Sequence, residues 1–228
     1  MIYIVSWKGN ELVGLQIGVA IIPWKMVYFN NAKRHLINSQ LLEIISNVHI
    51  QLIETPPFSS KELWEAWIDI QSYLITNSLH DHIGGDRRDV LPVLKERGVK
   101  AEVIYEYKRG LELTNEQIHT HLKTVMAWSD CAQDLFRNYD FLALPSSQAY
   151  PFDASLDWPK VIAGSKMDTY HRWMEVMVPV TLLGIPCVTI PAPTSTSLPI
   201  GVQIFGPKGS DAKLLKLARW YSRSLKGE

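Results

Sequence analysis

The sequence carries no excess of either charge: Lys plus Arg number 23, Asp plus Glu number 23, and the formal net charge over 228 residues is zero. A protein that binds nucleic acid through a basic field, or a membrane through a polybasic surface, is therefore not expected. Cysteine is scarce. Cys131 and Cys187 are the only two, too few for a disulfide framework or a zinc site of their own. Reduced thiols and a cytoplasmic location are the expectation. Long apolar runs are missing as well. The opening MIYIVSWKGNELVGLQIGVAIIPW is interrupted by Lys8, Glu11 and three glycines. It falls short of the roughly 18 uncharged residues that cross a bilayer, and it lacks the basic flank and small-residue cleavage site of a signal peptide. Internal repeats and low-complexity tracts are absent.

What is present suits a globular enzyme or binding domain: 46% hydrophobic and 20% charged residues, with enough chain to bury a sizeable core. LQIGVAII at 15–22 reads as a buried strand stopped by Pro23, and VHIQLI at 48–53 as a second strand ahead of Pro56-Pro57. Residues 32–46 read as a helix with Leu36, Leu41, Leu42 and Ile45 on its apolar side. Ser59 with Glu62 forms a capping box opening a helix that carries Leu63, Trp64, Trp67 and Leu74. Residues 77–113 are charged and read as irregular. Thr114 with Gln117 then caps a helix to about residue 138, whose spacing keeps Ile118, Leu122, Val125, Ser129, Ala132 and Phe136 on one face and predicts that face to be buried. FLALP, CVTIP and IGVQIFG read as strands, a helix covers roughly 168–183, and the last helix starts at Ser210. The expected class is α/β, one domain over 1–228 with a mixed, largely parallel sheet covered by helices.

Several chemistries have no carrier here. No Gly-x-Ser-x-Gly is present, which removes one kind of nucleophile elbow. His80-Asp81-His82 and His119 with His121 invite a metal reading, but a spacing of two on a helix points side chains apart, and HExxH is absent. No metal site and no cofactor are expected. Cys131 and Cys187 read as small buried residues, and the mixed cluster around Arg87-Arg88 and Lys95 to Arg97 as a solvated face.

The second half carries three ordered motifs. Tyr139, Asp140, Leu142 and Pro145 match YD-x-L-x-x-P. Leu183, Gly184, Pro186, Ile190 and Pro191 match L-x-G-x-P-x-x-x-(V/I)-P. Leu198, Pro199, Gly201, Val202, Gln203, Ile204 and Gly206 match LP-x-G-(V/L)-Q-(I/L)-x-G. This pattern resembles the C-terminal part of the amidase signature family, serine hydrolases of amide C–N bonds. GLQIGVAIIPW and ETPPFSSKELWEAW resemble earlier family segments more loosely.

The resemblance implies an amide C–N hydrolase acting on a small-molecule amide through a Ser-Ser-Lys arrangement. In the family those three groups precede the GLQIGV segment, and only fourteen residues stand before Leu15 here. Ser146-Ser147 lies in LPSSQAYP without flanking glycines, so turn capping is the preferred reading of that pair. The expectation is an amidase portion with no catalytic residues of its own, inactive alone and prone to self-association, whose missing half a partner chain would supply. A non-catalytic binding domain working with a separate partner is the alternative. By the same resemblance Gln148, Phe152, Asp168 and Met177 stand at the mouth of the acyl pocket, and Trp158 and Trp173 flank the loop and helix that approach it.

Overall fold

A computed structural model describes residues 3–7, 15–16, 50–52, 58–83, 87–192 and 198–226. The helix expected at 32–46 lies outside them, as do most of the strands expected at 15–22 and 48–53. The chain divides into two compact units, one of residues 1–58 with 129–228 and the other of residues 59–128.

The first unit is a sheet. Its strands are β1 (Tyr3–Trp7), β2 (Leu15–Gln16), β3 (Ile50–Leu52), β4 (Phe141–Pro145), β7 (Cys187–Ala192) and β8 (Ile200–Phe205). The order is β2-β1-β4-β8-β7, with β3 also on β1. β5 (Val161–Ile162) and β6 (Ser165–Lys166) form a separate two-stranded ribbon, turned at Ala163 and Gly164 with both φ angles positive, the conformation tight hairpins demand. Every described pairing is antiparallel, which corrects the largely parallel sheet expected. Alternating strand and helix signals suggested crossover connections, but β7 and β8 are near neighbours in sequence that pair directly, and β8 runs antiparallel between β4 and β7. Strand β1, within the apolar opening, was not anticipated.

FLALP is buried at all five positions, and Leu142, Leu144 and Phe205 form a cluster with Val180. Burying side chains of this size contributes roughly 1.5–3 kcal/mol each before entropy is counted. The C-terminal helix, α6 (Asp211–Lys226), buries Leu214, Leu217 and Tyr221. The helix expected over 168–183 is in two pieces, a 3₁₀ segment Tyr170–Met177 and α5 (Val178–Leu183). Pro179, with no N–H to give, stands in the first turn of α5, where that loss costs least. Gly184 ends it in the left-handed region.

The second unit is helical: α1 (Ser60–Ile83), α2 (Arg87–Glu96), α3 (Ala101–Glu112) and the first part of α4 (Asn115–Asn138). The segment expected to be irregular at 77–113 is mostly helix. Charges such as Lys95, Glu96 and Lys108 are exposed on these helices, a composition that a polar loop shares, whereas Glu106 is buried. Val90, Leu94 and Tyr107 form the buried core of this stretch. Gly110 on α3 lets α1 pack closely, since a Cβ there would lie 2.2 Å from Thr76 Oγ1 and 2.4 Å from the Ser72 carbonyl oxygen.

Both caps form: the Glu62 N–H donates to Ser59 Oγ at 3.3 Å, and Thr114 and Gln117 exchange backbone-to-side-chain bonds at 2.9 and 3.2 Å. The inner face of α4 differs from the expected one. Ile118, Trp128 and Ala132 are buried, whereas Leu122 is 45% exposed. On this helix His121 reaches Asp69, and Trp128 is 2% exposed. On α1, Leu63 and Trp64 are buried but Leu74 is exposed. Cys131 is half-buried and Cys187 exposed, not the buried residues expected.

Candidate functional site

The loop leaving β4 begins by extending its pairing, because the Ser146 N–H donates to the Gly201 carbonyl at 2.9 Å. Ser147 closes a turn on itself: its hydroxyl donates to the Ala149 carbonyl at 2.8 Å and accepts the Ala149 N–H at 3.1 Å. Such a side-chain turn follows from a serine beside a free backbone group.

Gln148 is 2% exposed, and its Oε1 accepts the Val176 N–H at 3.1 Å. Gln203, on β8, donates through Nε2 to the Val176 carbonyl at 3.2 Å and the Pro145 carbonyl at 3.0 Å. Two buried amides thus hold both polar groups of one peptide residue in the 3₁₀ segment, where the turn itself leaves N–H and C=O groups to be matched. Among the described residues, Gln148 Nε2 and Trp173 Nε1 are buried without a hydrogen-bond partner.

On the same 3₁₀ segment, Arg172 takes Asp168 in a two-pronged ion pair at 2.8 and 2.9 Å and reaches Glu175 at 3.3 Å. Its hydrogen bonds hold the Asp168 carboxyl below the usual range. Glu175 goes the other way, because burial pushes its pKa up more strongly than Arg172 pulls it down. Phe152 packs edge-on to Trp173 with ring centroids 5.5 Å apart. Lys160 Nζ sits 3.7 Å above the Trp158 ring. Met177 is half-buried at the end of the 3₁₀ segment and accepts the Thr181 hydroxyl on its carbonyl at 3.0 Å.

Of the expected pocket residues, the structure therefore brings Phe152 to Trp173 and ties Gln148 to the segment bearing Trp173 and Met177. Asp168 is engaged by Arg172, and Trp158 by Lys160. Gln203, Arg172 and Glu175 were not singled out as site residues. Gln203 left a readable signal, since a glutamine inside the apolar run IGVQIFG must find buried partners. The histidines go separate ways. His80 Nε2 lies 2.7 Å from the Tyr107 hydroxyl, and His82 Nδ1 2.7 Å from the Ser78 carbonyl. Among the described residues, no group of three His, Cys, Asp or Glu side chains is placed to hold a metal, and no helix is long and apolar enough to cross a membrane.

A family model described as Amidase matches residues 10–215. The chain belongs to the amidase family. Curated relatives include a glutamyl-tRNA(Gln) amidotransferase subunit from Thermus thermophilus, 37% identical over 89 residues, which is 38% of this chain and 17% of the relative. A glutamyl-tRNA(Gln) amidotransferase subunit from Clostridium acetobutylicum is 30% identical over 116 residues, 50% of this chain and 20% of the relative. Among solved structures, a bacterial aryl acylamidase of the amidase signature family superposes with a TM-score of 0.69 at 19% identity, covering 86% of this chain and 41% of that one. The corresponding amidotransferase protein from Thermotoga maritima gives a TM-score of 0.51 at 16% identity, covering 90% and 43%. The amidase fold of this chain is thus shown. The matches span 17–20% of those two curated relatives and about two fifths of those two solved structures.

Proposed function

We propose that these residues form the substrate-facing C-terminal portion of an amidase that hydrolyses carbon–nitrogen bonds of small amides, and that its nucleophile, relay serine and lysine come from outside them. The observation that carries the reading is Ser147. The one serine pair in a strand-end loop beside the expected pocket has its second hydroxyl both donating to and accepting from Ala149. A nucleophile needs its proton directed at a base, and this hydroxyl directs it at a carbonyl. Gln148, the Phe152–Trp173 pair and Met177 form the pocket wall in this reading, with the aromatic pair against an apolar part of the substrate and the two glutamines fixing the 3₁₀ segment behind it.

Amide turnover over a substrate panel tests the proposal, with the 228-residue chain and its Ser146→Ala plus Ser147→Ala variant in parallel. The expected result is no turnover above background by either. Turnover by the parent that the double substitution abolishes overturns it. Co-expression with the N-terminal half of an amidase relative extends the test: activity should appear, and Trp173→Ala should then raise KM more than it lowers kcat. The same reading implies that the chain alone associates with itself or with such a half. Light scattering should show oligomers, shifting to a defined heterodimer when the half is added.

A further inference from the structure

Helix α4 (Asn115–Asn138) runs unbroken for 24 residues. Its inner side buries Ile118, Trp128 and Ala132. Its outer side leaves two large apolar side chains uncovered: Met126 is 66% exposed, and Leu122, one turn earlier, is 45% exposed. Glu116, His119, Lys123, Asp130, Asp134 and Arg137 are exposed along the same helix. One uncovered apolar residue is ordinary, but two neighbours four apart, flanked by charges at helical spacing, make a face.

The charges of that face are ordered about a centre. Counting outward from the Met126–Ala127 peptide, Lys123 lies three residues before Met126 and Asp130 three after Ala127. His119 and Asp134 lie seven out on either side, and Glu116 and Arg137 ten. Steps of three, seven and ten keep to one side of a helix. In each pair, a carboxylate on one side of the centre answers a basic or imidazole side chain on the other. The pattern is internal to one helix and runs about 32 Å along it at 1.5 Å per residue.

Such an order fits a second copy of the same helix turned end for end. Lys123 then faces the copy's Asp130, His119 its Asp134 and Glu116 its Arg137, and a two-fold axis makes every contact twice. Met126 meets the copy's Met126 at the axis, with Leu122 beside it. Parallel packing would set each charge against itself, which costs free energy, whereas antiparallel helices bring opposite dipole ends together. Asp134 and Arg137 pair within the chain at 3.3 Å, but their side chains are 69% and 80% exposed, and such a pair competes weakly. We propose that the outer face of α4 is a homodimer interface, an antiparallel helix pair centred on Met126 and set in register by Lys123 and Asp130. It rests neither on the pocket wall nor on the source of the nucleophile. Its apolar content is small, so the dimer is a weak one, with Kd on the order of 10–100 µM at low salt.

Analytical ultracentrifugation of the 228-residue chain tests this. A monomer–dimer equilibrium is expected, weakening several-fold between roughly 0.05 M and about 1 M NaCl. Lys123→Asp sets carboxylate against carboxylate at both symmetric contacts and should weaken the dimer roughly tenfold or more, with the far-UV spectrum unchanged. Lys123→Asp combined with Asp130→Lys inverts the pair and should restore association to within about threefold of the parent. In a Cys131→Ser, Cys187→Ser background, Met126→Cys should form a disulfide-linked dimer on oxidation with diamide, because the two side chains meet at the axis. Leu215→Cys on α6, at a position 65% exposed, should not. A chain that stays monomeric up to about 0.5 mM, well above the expected Kd, overturns the proposal. So does a double reversal that fails to restore the dimer, or cross-linking at Leu215 equal to that at Met126. Association that Lys123→Asp leaves untouched overturns it too, and leaves the reading of the pocket standing. Should a reversed variant not fold, cross-linking at Met126 decides.

Discussion

The two units satisfy their buried polar groups by opposite means. In the sheet unit, Gln148 and Gln203 hold the Val176 peptide with uncharged amides. In the helical unit, Asp69 holds α3 and α4 to α1 through a guanidinium and an imidazole. Amide bonds do not titrate and are weakly screened, so the first arrangement keeps its geometry across pH and salt. The second draws on charge, so it responds to salt. Rigidity where the family motifs lie, and responsiveness in the helices, is the division of labour this implies.

The largest effect expected is a control on the sheet unit itself. Leu144, fully buried on β4, should cost about 2–5 kcal/mol as Leu144→Ala, read by chemical denaturation. A smaller loss would mean that β4 is not the structural centre. Gln203→Leu leaves the Val176 and Pro145 carbonyls buried and unmatched, and should cost about 1–3 kcal/mol. If the comparison is right, that cost is the same at low and high salt. Asp69→Asn should cost roughly 1–2 kcal/mol, discounted because Arg109 is partly exposed, and this cost should fall as salt rises. Equal salt sensitivity for the two variants would break the contrast between the units.

The sheet unit does contain one charged network, and it sharpens the comparison. Asp168 has a lowered pKa through Arg172, so its contribution is present above its ordinary range and is lost as pH falls through its folded value. Glu175 has a raised pKa through burial, so the folded state binds its proton more readily. Its contribution is full at low pH and lost as pH rises through the folded value. Asp168→Asn should therefore flatten the acid limb of the stability profile, and Glu175→Gln should lift stability on the higher-pH side. The reverse assignment would show that Arg172 serves Glu175 first. The smallest effect belongs to Leu122. At 45% exposure, Leu122→Ala should stay within about 0.5 kcal/mol, although helical spacing alone places it inside.

Strands and caps were legible where their signals are local. FLALP, CVTIP and IGVQIFG are short apolar runs with proline or glycine near their ends, and Thr114 and Gln117 carry both halves of a cap within four residues. Helices α2 and α3 were hidden because surface helices and polar loops share a composition, and their core residue Tyr107 meets its partners only in three dimensions. The site was half legible. The family motifs placed the loop after β4 and the segment carrying Trp173, but Gln148 meets Val176 across 28 positions, and no periodicity encodes a side chain bound to a distant peptide. His121 shows the same limit: spacing ruled it out as half of an HxH pair, and only the fold revealed Asp69 beside it.

At the border of the sheet, Tyr221 of α6 donates its hydroxyl to the Pro191 carbonyl at 2.7 Å, and Pro191 has no N–H of its own. Strand β7 ends the described sheet order, so this residue is where an incoming strand would look for a foothold. It finds no donor, and the acceptor is occupied by a phenol. A border closed in this way is a stop mark against runaway strand addition. Should copies of this chain come together, their meeting place is then better sought on exposed apolar side chains than along β7 at Pro191. Removing the phenol by Tyr221→Phe would reopen half of that stop while keeping the ring in place.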